Sequence, residues 1–360
     1  MSPRFISNPP AKLPKMLRHE MELPQYIVIG HDLVSTIVER LKSNHAFRKI
    51  LLITSKTPYR AYGSKVVEYA GSSLDFEVFY VDEAVEGFGK LVEHTRGSDA
   101  VVGIGGGKVL DVSKALAEAG ERPFFSVPTV ASHDGIASPM TSFRRNGRAY
   151  SRKSVMPLEI YADMEVISMA PRRYLLSGCG DLVAKHSAVR DWWLAHVEKG
   201  EYYGRYAAHL ANLSASVIMK SAKHIVNDWQ EGVRTVVEAL ISAGVAMGVA
   251  GSSRPCSGSE HLIAHALETM MEKPALHGER CGVATIFTSK LHKSNWEKVR
   301  NSLKTIGAPH TLNQIGVDAD LFVEAVKKAP DLRKERYTIL HKTPLTSRQI
   351  YDALQETMLV

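Results

Sequence analysis

The chain is poor in cysteine. Three occur in 360 residues, Cys179, Cys256 and Cys281, an odd number with no CxxC spacing. That excludes a disulfide framework and points to a reducing compartment. No dense block of lysine and arginine exists either; the formal net charge of +7 is spread along the chain. Such a spread gives no reason to expect nucleic-acid binding, and an anionic small substrate or plain solubility explains it as well. Long hydrophobic runs are missing. The longest, 239–251, is rich in Gly, Ala and Ser and falls short of the roughly 20 apolar residues that cross a bilayer. It reads as a buried helix packed closely on its neighbours. Residues 1–15 are polar and Pro-rich, with no apolar core of the signal-peptide kind. The expectation is a cytoplasmic protein without membrane insertion. Internal repeats and low-complexity tracts are absent as well.

What is present is an ordinary enzyme composition, 44% hydrophobic and 23% charged, over a length that allows two large cores. Strands are expected at 26–30, 50–54, 76–81, 100–104 and 124–128, with helical stretches at 33–41, 58–70, 86–95 and 109–119. Continuous apolar strands separated by helices predict a parallel sheet covered on both faces. Asn146-Gly147, between alternating residues at 141–151, signals a β-hairpin. From Met169-Ala170-Pro171 onward the pattern is helical: 181–198, 203–227, 232–249, 259–271, 282–292 and 296–305. The expected fold class is α/β: a nucleotide-type parallel-sheet domain, 1–170, then an all-helical domain, 171–360, with a ligand cleft between them. The tail 333–360 carries no legible pattern.

Gly103-Ile104-Gly105-Gly106-Gly107-Lys108-Val109-Leu110-Asp111 follows a strand and opens a helix. Glycines let backbone approach a diphosphate, and a helix N-terminus offers free N–H groups and a positive dipole end. It is no Walker loop, because Val102 stands at the first Gly position and Val109 where Ser or Thr belongs. Lys108 in the third Gly position also breaks the GxGxxG fingerprint. A tight turn without ligand is the plain alternative. The segment Ser126-Val127-Pro128-Thr129-Val130-Ala131-Ser132-His133-Asp134-Gly135 follows the next strand. Loops at the carboxyl ends of adjacent parallel strands share one rim, so its hydroxyls can bond a cofactor resting on the glycines. A capped turn is the plain alternative there.

His261 and His265 are four residues apart, so on a helix they share a face. Pro274 breaks that helix, and the chain can return His277 toward them. Converging imidazoles suit a catalytic divalent metal. The missing carboxylate is best supplied by Asp181, read here as sitting where the Gly-rich turn Gly178-Cys179-Gly180 meets a helix. Three N/O ligands with an open position suit Zn as a Lewis acid, and Fe(II) accepts the same set. His186, His196, His209, His224, His292 and His310 read as structural.

With these motifs placed, the chain resembles the superfamily of dehydroquinate synthases, glycerol dehydrogenases and iron-containing alcohol dehydrogenases. Within it the pattern is most similar to the archaeal-type sn-glycerol-1-phosphate dehydrogenases. The carrying stretches are Tyr26 to Asp32, Gly105 to Asp111, Pro128 to Pro139, Ser177 to Asp181, and Ser257 to His261 with His277-Gly278-Glu279. The resemblance implies a Rossmann-like domain followed by a helical one. It implies one Zn²⁺ per subunit on Asp181, His261 and His277, with His265 beside it as a substrate contact. It further implies substrate and catalytic roles for Asp134, Asp181 and His265. Nicotinamide-cofactor contacts are implied at Gly105, Gly106, Gly107, Lys108, Val109, Leu110, Asp111, Thr129, Val130, Ala131, Ser132 and Ser138. Lys185 stands where the iron-containing enzymes have a fourth ligand His, which favours three-ligand Zn. Asp181 and Ala184 stand where dehydroquinate synthases have Glu and Lys, which argues against that activity.

The implied reaction is reversible reduction of dihydroxyacetone phosphate to sn-glycerol 1-phosphate by NADH or NADPH, for archaeal-type ether-lipid backbones, by a homo-oligomer. A phosphate needs cations. Lys185 is the first candidate, one turn after Asp181, ahead of Arg152, Lys153 and Arg280. The second strand ends Thr54-Ser55-Lys56 with no acid to grip a ribose 2′-OH, so both NAD and NADP are expected. Rival readings are a glycerol or polyol dehydrogenase on the same scaffold, dehydroquinate synthase chemistry, and a basic binding protein whose histidines are structural.

Overall fold

The computed structural model describes residues 19–44, 46–81, 88–145 and 148–360. Its first half is a six-stranded, all-parallel sheet. The strands are β1 (Tyr26–Gly30), β2 (Lys49–Thr54), β3 (Asp75–Tyr80), β4 (Ala100–Gly105), β5 (Phe124–Pro128) and, after a hairpin, β8 (Glu159–Asp163), in the spatial order β1-β8-β5-β4-β2-β3. β4, β5 and β8 are buried at every residue, while edge strands β1 and β3 are only partly covered. Strands covered on both faces are mostly apolar, which is why the runs of β4 and β5 were legible.

β8 is the strand that sequence patterning did not reveal. Its run Glu159-Ile160-Tyr161-Ala162-Asp163 has an acid at each end, yet it sits between β1 and β5. The fold satisfies both acids. The Arg40 guanidinium clamps Glu159 at 2.9 and 2.5 Å, and Asp163 accepts from Leu33 N–H (3.0 Å) and the Tyr62 hydroxyl (2.9 Å). A buried carboxylate with charge-assisted partners is tolerated where a bare one is not.

The hairpin pairs β6 (Met140–Arg145) with β7 (Arg148–Lys153); Asn146-Gly147 lies outside the described residues. The main helices from β4 onward are α1 (Gly107–Gly120), α2 (Arg172–Lys199), α3 (Arg205–Lys220), α4 (Trp229–Ala250), α5 (Ser259–Met270), α6 (His277–Leu291), α7 (Trp296–Ile306) and α8 (Ala319–Leu332). The tail is not patternless: beyond α8 it holds short helices Ile339–Lys342 and Ser347–Glu356. One apolar cluster runs from β2 and β4 through α1 into α2, α4, α5 and α6.

The apolar run 239–251 belongs to α4, which at 22 residues is long and apolar enough to span a bilayer. Within the fold 72% of its most apolar window is buried.

The reading of Gly178-Cys179-Gly180 as a turn is corrected. Both glycines lie inside α2, which begins at Arg172 and runs unbroken to Lys199. Their reason is close packing. A side chain at Gly178 would collide with the Ala131 carbonyl, and one at Gly180 with the carbonyl of Gly278. Bare backbone there lets α2 touch both the β5 loop and the start of α6, at a cost of about 1 kcal/mol of helix propensity per glycine.

Candidate metal and cofactor site

Three helices and one loop deliver the site. Asp181 lies in the middle of α2 and is 1% exposed. His261 lies in the first turns of α5, and His265 one turn further on. His277 is the first residue of α6. Asp181 Oδ1 is 3.4 Å from His261 Nε2 and 3.9 Å from His277 Nε2. Cys281 Sγ, one turn after His277, is 3.6 Å from His277 Nε2. The four donor atoms lie within 4.8 Å of one another. Bonds of about 2.0–2.3 Å put donors on a tetrahedral zinc roughly 3.3–3.6 Å apart, so the donor set fits a divalent metal. His265 stands beside the three; its ring centroid is 5.8 Å from that of His277.

Each site helix is held at its start. Asp191 of α2, fully buried, accepts from Ser259 N–H (2.6 Å), Ser259 Oγ–H (2.5 Å) and Ile339 N–H (2.7 Å), and pairs with His292 Nε2 (2.9 Å). It thus caps α5 two residues before His261. Glu279 accepts from Leu276 N–H (2.9 Å) and is clamped by Arg173 at 2.6 and 2.7 Å, which ties the start of α6 to α2. The Glu of the His277-Gly278-Glu279 motif is therefore an anchor for the helix that carries His277.

Glu260 was not anticipated. It is fully buried, and its Oε1 lies 2.8 Å from His261 Nδ1. A carboxylate on Nδ1 holds the proton there and leaves Nε2, the nitrogen nearest Asp181, as the free lone pair. An acid directly before a candidate ligand His was the available signal. Glu260→Gln is expected to weaken Zn²⁺ affinity about 10–100-fold, read by chelator competition, with a folded protein. Unchanged affinity would remove this role.

The charges explain themselves. Burial pushes the Asp181 carboxyl up, but Lys185, with His261 and His277, outweighs it and holds it well below the usual range. Burial lowers Lys185, but Asp134 and Asp181 raise it above its ordinary value. Burial, with His261 nearby, pulls His277 well down, and burial lowers His265. His261 goes the other way: burial lowers it, but Cys281, Asp181 and Glu260 outweigh burial and hold it well above its ordinary value, so metal binding there displaces a proton.

Lys185 differs from its expected part. It is fully buried, with Nζ 2.7 Å from Asp134 Oδ2 and 2.8 Å from Asp181 Oδ1. Two carboxylates in a low-dielectric pocket consume its charge, so it faces them and not an incoming phosphate. Arg280 is likewise engaged, with the Ala264 and Ala275 carbonyls and Glu268. Arg152 pairs with Glu118, and Lys153 with Glu22.

A cavity of about 210 Å³ opens beside the cluster, at the small end for ligand sites. Asp111, Asp134, Ser138, His261, His265 and His277 contribute to its wall. Asp134 N–H donates to Asp181 Oδ2 (2.9 Å), which joins the β5 loop to the metal helix.

The glycine-rich turn lies on the same rim. β4 and β5 are neighbours, and Thr129 N–H donates to the Gly105 carbonyl (3.1 Å). Gly106 caps α1 with no side chain over the helix start, so first-turn N–H groups stay open to an anion. A side chain at Gly107 would run into the His133 imidazole. Lys108 is exposed, and Val130 and Ser132 are half-buried. Val109, Leu110 and Ala131 are turned into the core, which leaves only their main chain for a cofactor. Asp111 accepts from Ser142 N–H (3.1 Å), and Thr129 and Ser138 are buried at the rim.

Comparison with known proteins agrees with this architecture. The iron-containing alcohol dehydrogenase family matches residues 28–171. A probable glycerol dehydrogenase from Sinorhizobium meliloti has the same fold, with TM-score 0.75 at 19% identity over 94% of this chain and 98% of that one. The glycerol dehydrogenase of Schizosaccharomyces pombe superposes with TM-score 0.72 at 18% identity, over 94% and 90%. These likenesses define the fold class, a Rossmann-like parallel sheet followed by helices. Near-full-length relatives narrow this further. The glycerol-1-phosphate dehydrogenase [NAD(P)+] of Thermococcus sibiricus is 42% identical over 95% of this chain and 99% of its own. That of Methanosarcina mazei is 41% identical over 89% and 91%. The chain belongs to the glycerol-1-phosphate dehydrogenase family.

Proposed function

We propose that this protein reversibly reduces dihydroxyacetone phosphate to sn-glycerol 1-phosphate with NADH or NADPH, supplying glycerophosphate backbones for ether lipids. Asp181, His261 and His277 would hold one Zn²⁺, and Cys281 stands next to them. Such a metal would supply Lewis-acid polarisation of the substrate carbonyl oxygen, and a bound nicotinamide would supply hydride. Carrying this reading is the convergence of Asp181, His261 and His277, with both histidines on the wall of one small cavity, beside an open helix N-terminus, in a chain 42% identical to a named relative.

The chain's own groups do the rest. The glycine turn and the free N–H groups of α1 receive the cofactor diphosphate, with Thr129, Ser132 and Ser138 beside it. Asp134 and His265 line the cavity, and one of them supplies the proton that completes the alcohol oxygen. Lys185 balances the Asp134 and Asp181 carboxylates so that both stay charged. β2 ends at Thr54 next to β4, and no acid follows it before Lys56, which supports dual cofactor use.

The test is oxidation of NADH and NADPH with dihydroxyacetone phosphate and with dihydroxyacetone, before and after chelation. Turnover of the phosphorylated ketone, abolished by chelator and restored by Zn²⁺, is expected. NADPH efficiency is expected within about a hundredfold of NADH, a gap of roughly 2.7 kcal/mol. Turnover of only the unphosphorylated ketone would make the protein a polyol dehydrogenase.

A further inference from the structure

With Lys185 committed to two carboxylates, the substrate phosphate has lost its first candidate partner. A second buried cation lies behind another wall of the same cavity. Arg336, between α8 and the helix Ile339–Lys342, is 6% exposed. Its Nη2 donates to Ser253 Oγ (2.7 Å), and its Nη1 to the Ser257 carbonyl.

The neighbouring Arg254 is neutralised by Glu201, which accepts from its Nε and Nη2, while its Nη1 donates to the Tyr337 carbonyl. Arg336 has no carboxylate within ion-pair distance among the described residues. Glu201 and Glu260 act on it only from further off, while burial, Arg333 and Arg254 pull it down to about 9. It is still a cation at neutral pH. A buried guanidinium without a counter-ion is costly, and an anion arriving nearby relieves that cost.

Ser253 and Ser257 themselves line the cavity, together with His261 and His265. The Ser253 hydroxyl oxygen already accepts from Arg336, and its O–H donates to nothing among the described residues. That hydroxyl is left to act as a donor, with positive charge behind it. The loop is rigid: Cys256 N–H and Ser257 N–H both return to the Ser253 carbonyl, at 3.0 and 2.9 Å. The carboxylates on the cavity wall belong to Asp111, Asp134 and Glu268, and Glu268 is paired with Arg280.

We propose that Ser253 and Ser257, backed by Arg336, form the subsite that receives the phosphate of the substrate. The assignment rests on the phosphorylated-substrate reading above. The serines are the contacts, and Arg336 is a positioning residue that orients them and supplies the field. Charge-assisted donors of this kind suit a phosphate oxygen.

The experiment compares wild type, Ser253→Ala, Arg336→Lys and Arg336→Met. It measures kcat/KM for dihydroxyacetone phosphate and for dihydroxyacetone, and competitive inhibition by inorganic phosphate. In Ser253→Ala and Arg336→Met the ratio of the two kcat/KM values is expected to fall at least about tenfold, with phosphate inhibition weakened in parallel. Arg336→Lys keeps the charge and is expected to lie between. A ratio and a phosphate inhibition constant within about twofold of wild type would overturn the subsite, as would an equal fall for both ketones. Should Arg336→Met not fold, Ser253→Ala decides. Wild type that ignores the phosphorylated ketone, yet is inhibited by phosphate through Ser253, would instead defeat the function proposed and keep the anion site.

Discussion

Asp181→Asn is expected to lower kcat/KM for dihydroxyacetone phosphate by about a thousandfold or more, roughly 4 kcal/mol of transition-state stabilisation. The change keeps the side chain's size and removes its charge. Asp181 Oδ1 is the oxygen shared by His261, His277 and Lys185, and Oδ2 accepts from Asp134 N–H. Losing the anion leaves two imidazoles beside the Lys185 cation, a poor seat for a divalent ion. Metal content per chain should fall in step with activity, measured by elemental analysis on the dialysed variant. A variant that keeps both its metal and its rate would show that this carboxylate is no ligand.

Lys185→Met is expected to destabilise the metal-free protein by about 3–5 kcal/mol, because two carboxylates lose their buried partner. Asp134 and Asp181 contact Nζ at 2.7 and 2.8 Å with Lys185 fully buried. The pH of the measurement matters. Asp181 is held below its ordinary value, so its contribution is full above about pH 4 and is lost as pH falls through the lowered value. Lys185 is raised, so its contribution is full below about pH 10 and is lost as pH rises through the raised value. Urea denaturation at pH 7 sits inside both windows. A phosphate-binding Lys185 would give the opposite pattern: unchanged stability and a raised KM for the phosphorylated substrate alone.

Apolar runs were legible as β2, β4 and β5 because central parallel strands are apolar on both faces. β8 was hidden because its buried acids depend on Arg40, Tyr62 and Leu33, from distant parts of the chain. Gly178 and Gly180 looked like a turn because glycine ordinarily marks one. Their cause is the approach of Ala131 and Gly278, which no local pattern carries. The 261/265 spacing and Pro274 were enough to bring three histidines together, but Lys185 was read by its spacing alone, without Asp134 opposite it.

By itself the sequence determined the parallel sheet, the glycine-rich rim and the histidines that meet beside it, since each rests on periodicity or on a spacing of a few residues. The tertiary structure alone decided which partner each buried charge has: Glu260 on His261, Lys185 between two aspartates, Arg336 behind two serines. Those partners are separated by up to 83 positions, as Arg336 and Ser253 are, and desolvation makes each pairing matter only once the chain has closed around it.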